Sequence, residues 1–281
     1  MKTIIDSNDK LRNWYKPLYQ RLRYDSKSKK IIFIFGAMRS GTTLLSHVFN
    51  LMPYASVYGE YSVLSDKDKY KLRWNPINEI KREFDKSSAP LIVCKPLVES
   101  QNARKILDEF PNSHAIWLYR HYADSSKSNI VKFGSTRGGI NNIKPVVDPL
   151  FANDNDWTSW KTENVSDNTR QLIREYYSDS MSPNDAAALF WYARNVIYFE
   201  QGLQDIERVH LLSYEDFIHN PKAFIELIFD KLNLNFNVDD KYFKYIHESS
   251  IGKGEDFLLN ENLKNELTAL YHRLNVHKVT Y

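Results

Sequence analysis

The chain has 281 residues, a formal net charge of +3, a single cysteine and an aromatic content of 14%. That length and composition suit a globular fold with a large core and exclude a disordered chain. So small a charge, with no dense Lys/Arg stripe, argues against a nucleic-acid partner; lone Cys94 excludes an internal disulfide and suits a reducing compartment.

The N-terminus, MKTIIDSNDKLRNWYK, has no apolar leader, and no apolar run is long enough to cross a bilayer. A cytoplasmic protein without membrane insertion is expected. Leu11, Trp14, Tyr15, Leu18, Tyr19 and Leu22 fall on one face of a helix, within a helical extension over 1–30. Pro17 is expected to kink it. Lys16, Arg21 and Arg23 make a membrane-surface role conceivable, but packing of the apolar face on the domain is the simpler expectation.

IIFIF (31–35) then reads as a buried strand, and TTLLSHVFNLM as a helix ending before Pro53. ASVY opens a second strand, INEIKREF a helix, LIVC a third strand and NARKILDEF a helix. HAIWLY is a fourth strand leading into helical YADSSKSNIVKF. From 134 to 166 no period is visible, so 134–182 reads as an insert, irregular at first and then helical. NDAAALFWYARNVIYFEQGL is a long apolar helix and RVHLLS a fifth strand. NPKAFIELIFDKLNL starts a helix on proline, whose missing N–H costs nothing there, and ENLKNELTALYHRL is the last helix. This alternation predicts one α/β domain over 1–281, a three-layer α/β/α sandwich around a central, mostly parallel five-stranded sheet. In such sheets a ligand sits beyond the carboxyl ends of the strands, which selects the loops after Phe35, Tyr58, Cys94, Tyr119 and Ser213.

The first of these loops, Gly36-Ala37-Met38-Arg39-Ser40-Gly41-Thr42-Thr43, has the spacing G-x-x-x-x-G-K-[ST] of a phosphate-binding loop. It follows a strand and opens a helix, so backbone N–H groups and the hydroxyls of Thr42 and Thr43 would face an anion. Thr42 stands where the lysine belongs, and Arg39 restores a cation three residues earlier. In nucleoside triphosphatases that lysine neutralises the β- and γ-phosphates. Its loss argues against a triphosphate.

Arg39-Ser40-Gly41-Thr42-Thr43 resembles the [KR]-S-G-T-T loop of the sulfotransferases that use 3′-phosphoadenosine 5′-phosphosulfate (PAPS). Further segments match in order. Arg120 and Ser128, in YRHYADSSKS, are spaced like the pair that grips the 3′-phosphate; His121-Tyr122 replaces the family's usual Asp-Pro. LLSYEDFIHNP resembles the segment whose tyrosine, here Tyr214, borders the adenine. Lys253-Gly254, in ESSIGKGEDF, match a late Lys-Gly segment that covers the 3′-phosphate, without its further arginine and second glycine; Ser249 or Ser250 could reach the phosphosulfate. The resemblance spans residues 31 to about 257 and implies a P-loop-like fold, with Arg39, Ser40, Gly41, Thr42, Thr43, Arg120, Ser128, Tyr214, Ser250, Lys253 and Gly254 binding the donor PAPS or the product 3′-phosphoadenosine 5′-phosphate (PAP).

Sulfuryl transfer to an O–H or N–H acceptor needs a base, an in-line arrangement and stabilised charge, and needs no metal. Arg39 is placed to stabilise the transferred group, and Lys95, at the third strand's end, points a cation into the same crevice. The K-x-H pattern of the steroid and phenol branch reads Lys95-Pro96-Leu97 here, so its histidine is absent. Another branch, which includes the tyrosylprotein sulfotransferases, uses a glutamate in a Gly-Glu pair after the second strand; Gly59-Glu60 match it, which makes Glu60 the candidate base. His47 reads as a helix-surface residue and Cys94 as a buried, inert thiol. In the insert, Trp157 and Trp160 beside Asp156 suggest a lid over a cationic small-molecule acceptor, an amine- or guanidinium-bearing natural product of secondary metabolism. Two other readings stand: a nucleotide kinase of the phosphate-loop class, which would want lysine at position 42, and a catalytically silent PAP-binding protein, which would need neither Glu60 nor Lys95. The oligomeric state is not legible.

Overall fold

The computed structural model describes residues 6–24, 29–147 and 158–280, with side chains from residue 15 onward. In chain order it places α1 (Asp6–Arg23), β1 (Lys30–Gly36), α2 (Thr42–Leu51), β2 (Ala55–Tyr58), α3 (Ile77–Lys86) and β3 (Leu91–Cys94). A 3₁₀ turn over Leu97–Asn102 leads to α4 (Ala103–Glu109), β4 (Ser113–Tyr119), α5 (Tyr122–Gly138), α6 (Ile140–Val147), α7 (Asp167–Tyr176) and α8 (Pro183–Glu200). Then come β5 (Val209–Ser213), α9 (Tyr214–His219), α10 (Pro221–Lys231) and α11 (Glu261–His277).

The five strands form one sheet in the order β2-β3-β1-β4-β5, and every neighbouring pair is parallel. Side chains alternate between the faces of a strand, so consecutive residues of β1 serve opposite layers. Phe33 and Phe35 join Trp117 and the apolar face of α8 in one core. Ile32 and Ile34 join α2, α9 and α10 in the other. A sheet buried on both faces reads as continuous apolar runs, which is how LIVC and VHLLS are legible as β3 and β5, both fully buried. The fold is thus the three-layer α/β/α architecture expected from the alternation. Strand order reverses at β1, with β3 on one side and β4 on the other. The carboxyl end of β1 is therefore the switch point where such sheets bind ligands.

Three expectations are corrected. First, α1 runs unbroken through Pro17, and over the described side chains, those of residues 15–23, its inward face is polar. The Lys16 ammonium donates to the carbonyl of Asn50 at 2.9 Å, and the Gln20 amide to those of Pro53 and Ala55 at 2.9 and 3.2 Å. Gln20 thereby ties the helix to β2, the edge strand of the sheet. Second, the stretch expected to be irregular from 134 contains the end of α5 and all of α6. Two turns of helix with Pro145 inside are too short to show a period. Third, Trp160 is no surface lid residue. It is 3% exposed, edge-on to Phe190, with the Arg194 guanidinium 4.9 Å from its ring. Phe190 and Arg194 both lie on α8, one turn apart, and together they draw the indole into the core. Asp156 and Trp157 lie outside the described residues.

Candidate functional site

The loop from Gly36 to Thr43 turns β1 into α2 at the switch point. Its shape depends on two glycines. A Cβ on Gly36 would sit 2.3 Å from the Leu118 carbonyl oxygen, and one on Gly41 would sit 2.2 Å from the Tyr214 ring. Gly41 also has φ +88, which glycine adopts without strain. Arg39 takes a left-handed conformation as well, with φ 69, a cost that non-glycine residues bear mostly at functional positions. No side chain caps the first turn of α2, and no acidic residue lies there. The Ser40 hydroxyl is 0% exposed and has no partner among the described residues. An uncapped helix start beside a buried orphan hydroxyl is a donor array suited to an anion.

Three cations surround it. Arg39 donates from Nε to the Ser128 hydroxyl at 3.1 Å. Its side chain reaches solvent, yet desolvation by the surrounding atoms, with the charge of Arg120 adding to it, lowers its pKa. Arg120, at the end of β4, is buried. Its guanidinium lies 4.7 Å from the centre of the Tyr214 ring and donates to the Ser250 carbonyl, while its Nε has no partner. Lys95, at the end of β3, pairs with Glu60 at 3.3 Å and donates to the Thr43 hydroxyl at 3.1 Å. Glu60, Lys95 and Thr43 thus form one connected chain at the start of α2. An ammonium held between a carboxylate and a loop hydroxyl can steady charge on either side of it.

The remaining sequence-predicted residues come together around Arg120. Tyr214 closes on Gly41, and its hydroxyl shares a 2.6 Å hydrogen bond with that of Ser250. Gly254 is buried against Ala123 and Asp124, where a Cβ would come within 2.5 Å of the backbone; Lys253 is exposed. Ser128 partners Arg39 rather than Arg120 in this arrangement.

Asp124 is the residue that sequence reasoning missed. Its carboxylate accepts from the Gly252 and Gly254 N–H groups at 2.9 and 2.6 Å and lies 3.5 Å from Arg120. It therefore pins the 250–254 loop over Arg120. The signal was present, since Asp124 follows Arg120 by one helical turn inside the segment already singled out. Glu215 accepts from the His121 N–H at 2.9 Å, and burial raises its pKa. Burial also raises the Cys94 thiol well above its usual range and outweighs the neighbouring Lys95 charge, so the thiol is inert as expected.

A groove of about 520 Å³ opens between α1 and α2 and ends at Thr43 and Tyr58; Gln20, His47 and Asn50 are among its walls. It lacks carboxylates among its lining residues. On the far side of the 3₁₀ turn, Arg73 bridges Glu99 and Glu163, each at 2.7 Å, and so fastens the segment that carries Trp160. Among the described residues no three His, Cys, Asp or Glu side chains are grouped to hold a metal, and no helix is long and apolar enough to cross a membrane.

The sequence matches no family model and no curated protein. Its structure is similar to solved sulfotransferase domains. The domain from the curacin biosynthetic pathway aligns with a TM-score of 0.55 at 17% identity, over 88% of this chain and 98% of that one. The domain from the Synechococcus PCC 7002 olefin synthase aligns with a TM-score of 0.55 at 17% identity, over 90% and 98%. The chain has the sulfotransferase fold.

Proposed function

We propose that this chain is a PAPS-dependent sulfotransferase with a small-molecule acceptor. One observation carries the reading. At the switch point of a sulfotransferase fold, a lysine-free phosphate loop meets three cations, and the buried Ser40 hydroxyl and Arg120 Nε are left without partners. Buried polar atoms are normally satisfied, so two orphans flanking one helix start support a ligand that supplies acceptors.

In this reading the backbone of residues 39–43 and the hydroxyls of Ser40, Thr42 and Thr43 hold the 5′-phosphosulfate. Arg120, Ser128, Lys253 and Gly254 hold the 3′-phosphate, with Ser250 and Tyr214 beside them and Tyr214 next to the adenine. The bound donor supplies the sulfuryl group. Glu60 takes the proton from the acceptor's hydroxyl or nitrogen. Lys95 orients Glu60 through their ion pair and, with Arg39, stabilises negative charge on the group in transit. No role for a metal enters. The similarity to a natural-product pathway domain supports an acceptor of that kind.

The test is a thermal-shift comparison of PAP with ATP and Mg²⁺. PAP at a hundredfold excess over Kd should add about 2.7 kcal/mol of stability. Stabilisation by ATP with Mg²⁺ alone would favour phosphoryl transfer instead. Glu60→Gln should lower kcat by roughly 10²–10⁴-fold and spare PAP affinity. PAP binding without any turnover by the native chain would leave a silent nucleotide-binding protein. For the acceptor, we propose that Asp156 and Trp157 contact it from the insert. Replacing both with Ala should raise its KM and leave PAP affinity unchanged; an unchanged KM removes the lid.

A further inference from the structure

The amphipathic helix α1 faces the wrong way for a helix that packs by its apolar side. Among the described side chains, those of residues 15–23, the buried ones are Lys16 and Gln20, both hydrogen-bonded to backbone of the domain. Three of its apolar side chains point outward: Tyr15 is 44% exposed, Leu18 55% and Leu22 79%, while Tyr19 is half-buried, edge-on to Tyr24. These three recur at i, i+3 and i+7, so they form one stripe along the helix. At roughly 100° per residue, Arg21 and Arg23 fall on opposite borders of that stripe, and both are exposed. Beyond one border, Lys241 lies within electrostatic reach of Tyr15 and is itself paired with Asp239 at 2.8 Å.

We infer that α1 is an interfacial helix which docks the protein on an anionic lipid bilayer. An apolar stripe with a cation on each border is the arrangement that lies in a membrane surface. The apolar side chains enter the acyl boundary, and the guanidinium groups meet the lipid phosphates at headgroup depth. A soluble helix would bury such a stripe; a protein partner would not require cations on both of its edges. The hydrogen bonds from Lys16 and Gln20 fix the helix to the domain by its polar side, so the stripe is already presented outward and needs no rearrangement. The groove that ends at Thr43 runs along the inner side of the same helix, which would bring its mouth close to the bilayer.

The experiment is co-sedimentation of the full chain with vesicles of phosphatidylcholine, alone or with about one third phosphatidylglycerol. Binding is expected only to the anionic vesicles and should weaken as salt is raised. Leu18→Ser with Leu22→Ser should weaken it at least tenfold. Arg21→Gln with Arg23→Gln should weaken it about fivefold for each charge removed. Both positions of each pair are exposed, so the thermal unfolding midpoint should stay near that of the native chain and show that the variants are folded. Absence of binding by the native chain at low salt overturns the proposal, as does binding that either pair of substitutions leaves unchanged. A concentration-dependent dimer in light scattering that Leu18→Ser with Leu22→Ser abolishes also overturns it, and assigns the stripe to a second copy of the chain. Vesicle binding is read without any sulfuryl transfer, so its failure is separable from failure of the enzymatic reading.

Discussion

The two ends of the sheet both crowd cations, and they treat them in opposite ways. At the amino ends of the strands, Arg208 is spent on the fold. Its guanidinium donates to the carbonyls of Leu107, Phe110 and Ser113 at 2.8, 3.2 and 3.1 Å. Beside it, His114 and His210 stack and share a 3.1 Å hydrogen bond, with Lys30 and Lys231 near them. At the carboxyl ends, Arg39 and Arg120 repel one another, and Arg120 keeps an unpartnered Nε. The contrast separates two uses of charge at the ends of a sheet. Satisfied cations stabilise a chain, whereas incompletely satisfied ones at a switch point suit a ligand that supplies acceptors.

The comparison is sharpest in a pair of substitutions. Arg120→Met should reduce PAP affinity by several hundredfold, about 3–4 kcal/mol, and cost less in the unfolding free energy of the free protein. Arg208→Met should do the reverse, with about 2 kcal/mol lost from stability and PAP affinity unchanged. Calorimetric titration and urea melts read the two quantities. Equal effects of both substitutions on both measurements would erase the distinction.

The histidine pair offers a pH test of the amino end alone. Burial, the neighbouring His114 and then Lys231 depress His210 from 6.5 to about 4, and burial with nearby cations lowers His114. The unfolded chain therefore binds protons that the folded one refuses. Stability from the neutral pair is complete above about pH 6.5 and falls as the pH drops toward 4, by up to about 3 kcal/mol. His114→Gln with His210→Gln should flatten that part of the stability–pH curve, read from urea melts at stepped pH. A curve of unchanged slope would remove the pair from the account.

Much of the candidate site was legible because its motifs are local. A strand, a glycine-bounded loop and a helix start are contiguous in Gly36–Thr43, and Arg120, Tyr214 and Lys95 each end or follow a strand. Partners were harder to read. Ser128 was expected beside Arg120 and instead accepts from Arg39. Asp124 was passed over because its work is done on Gly252 and Gly254, more than a hundred residues away. Trp160 looked like a lid residue in sequence because aromatic and acidic neighbours surround it there, while in space α8 surrounds it.

By itself the sequence determined the alternation of strands and helices, the buried character of the sheet, and the loop at the end of β1. Each of these follows from periodicity or turn chemistry within a few residues. Only the tertiary structure decided which groups share a hydrogen bond across the strand order β2-β3-β1-β4-β5, and which side of α1 meets the domain. Periodicity gives a helix an apolar face but not what that face meets. Here the start of edge strand β2 and the turn before it offered the carbonyls of Ala55 and Pro53, which a polar face satisfies and an apolar one cannot.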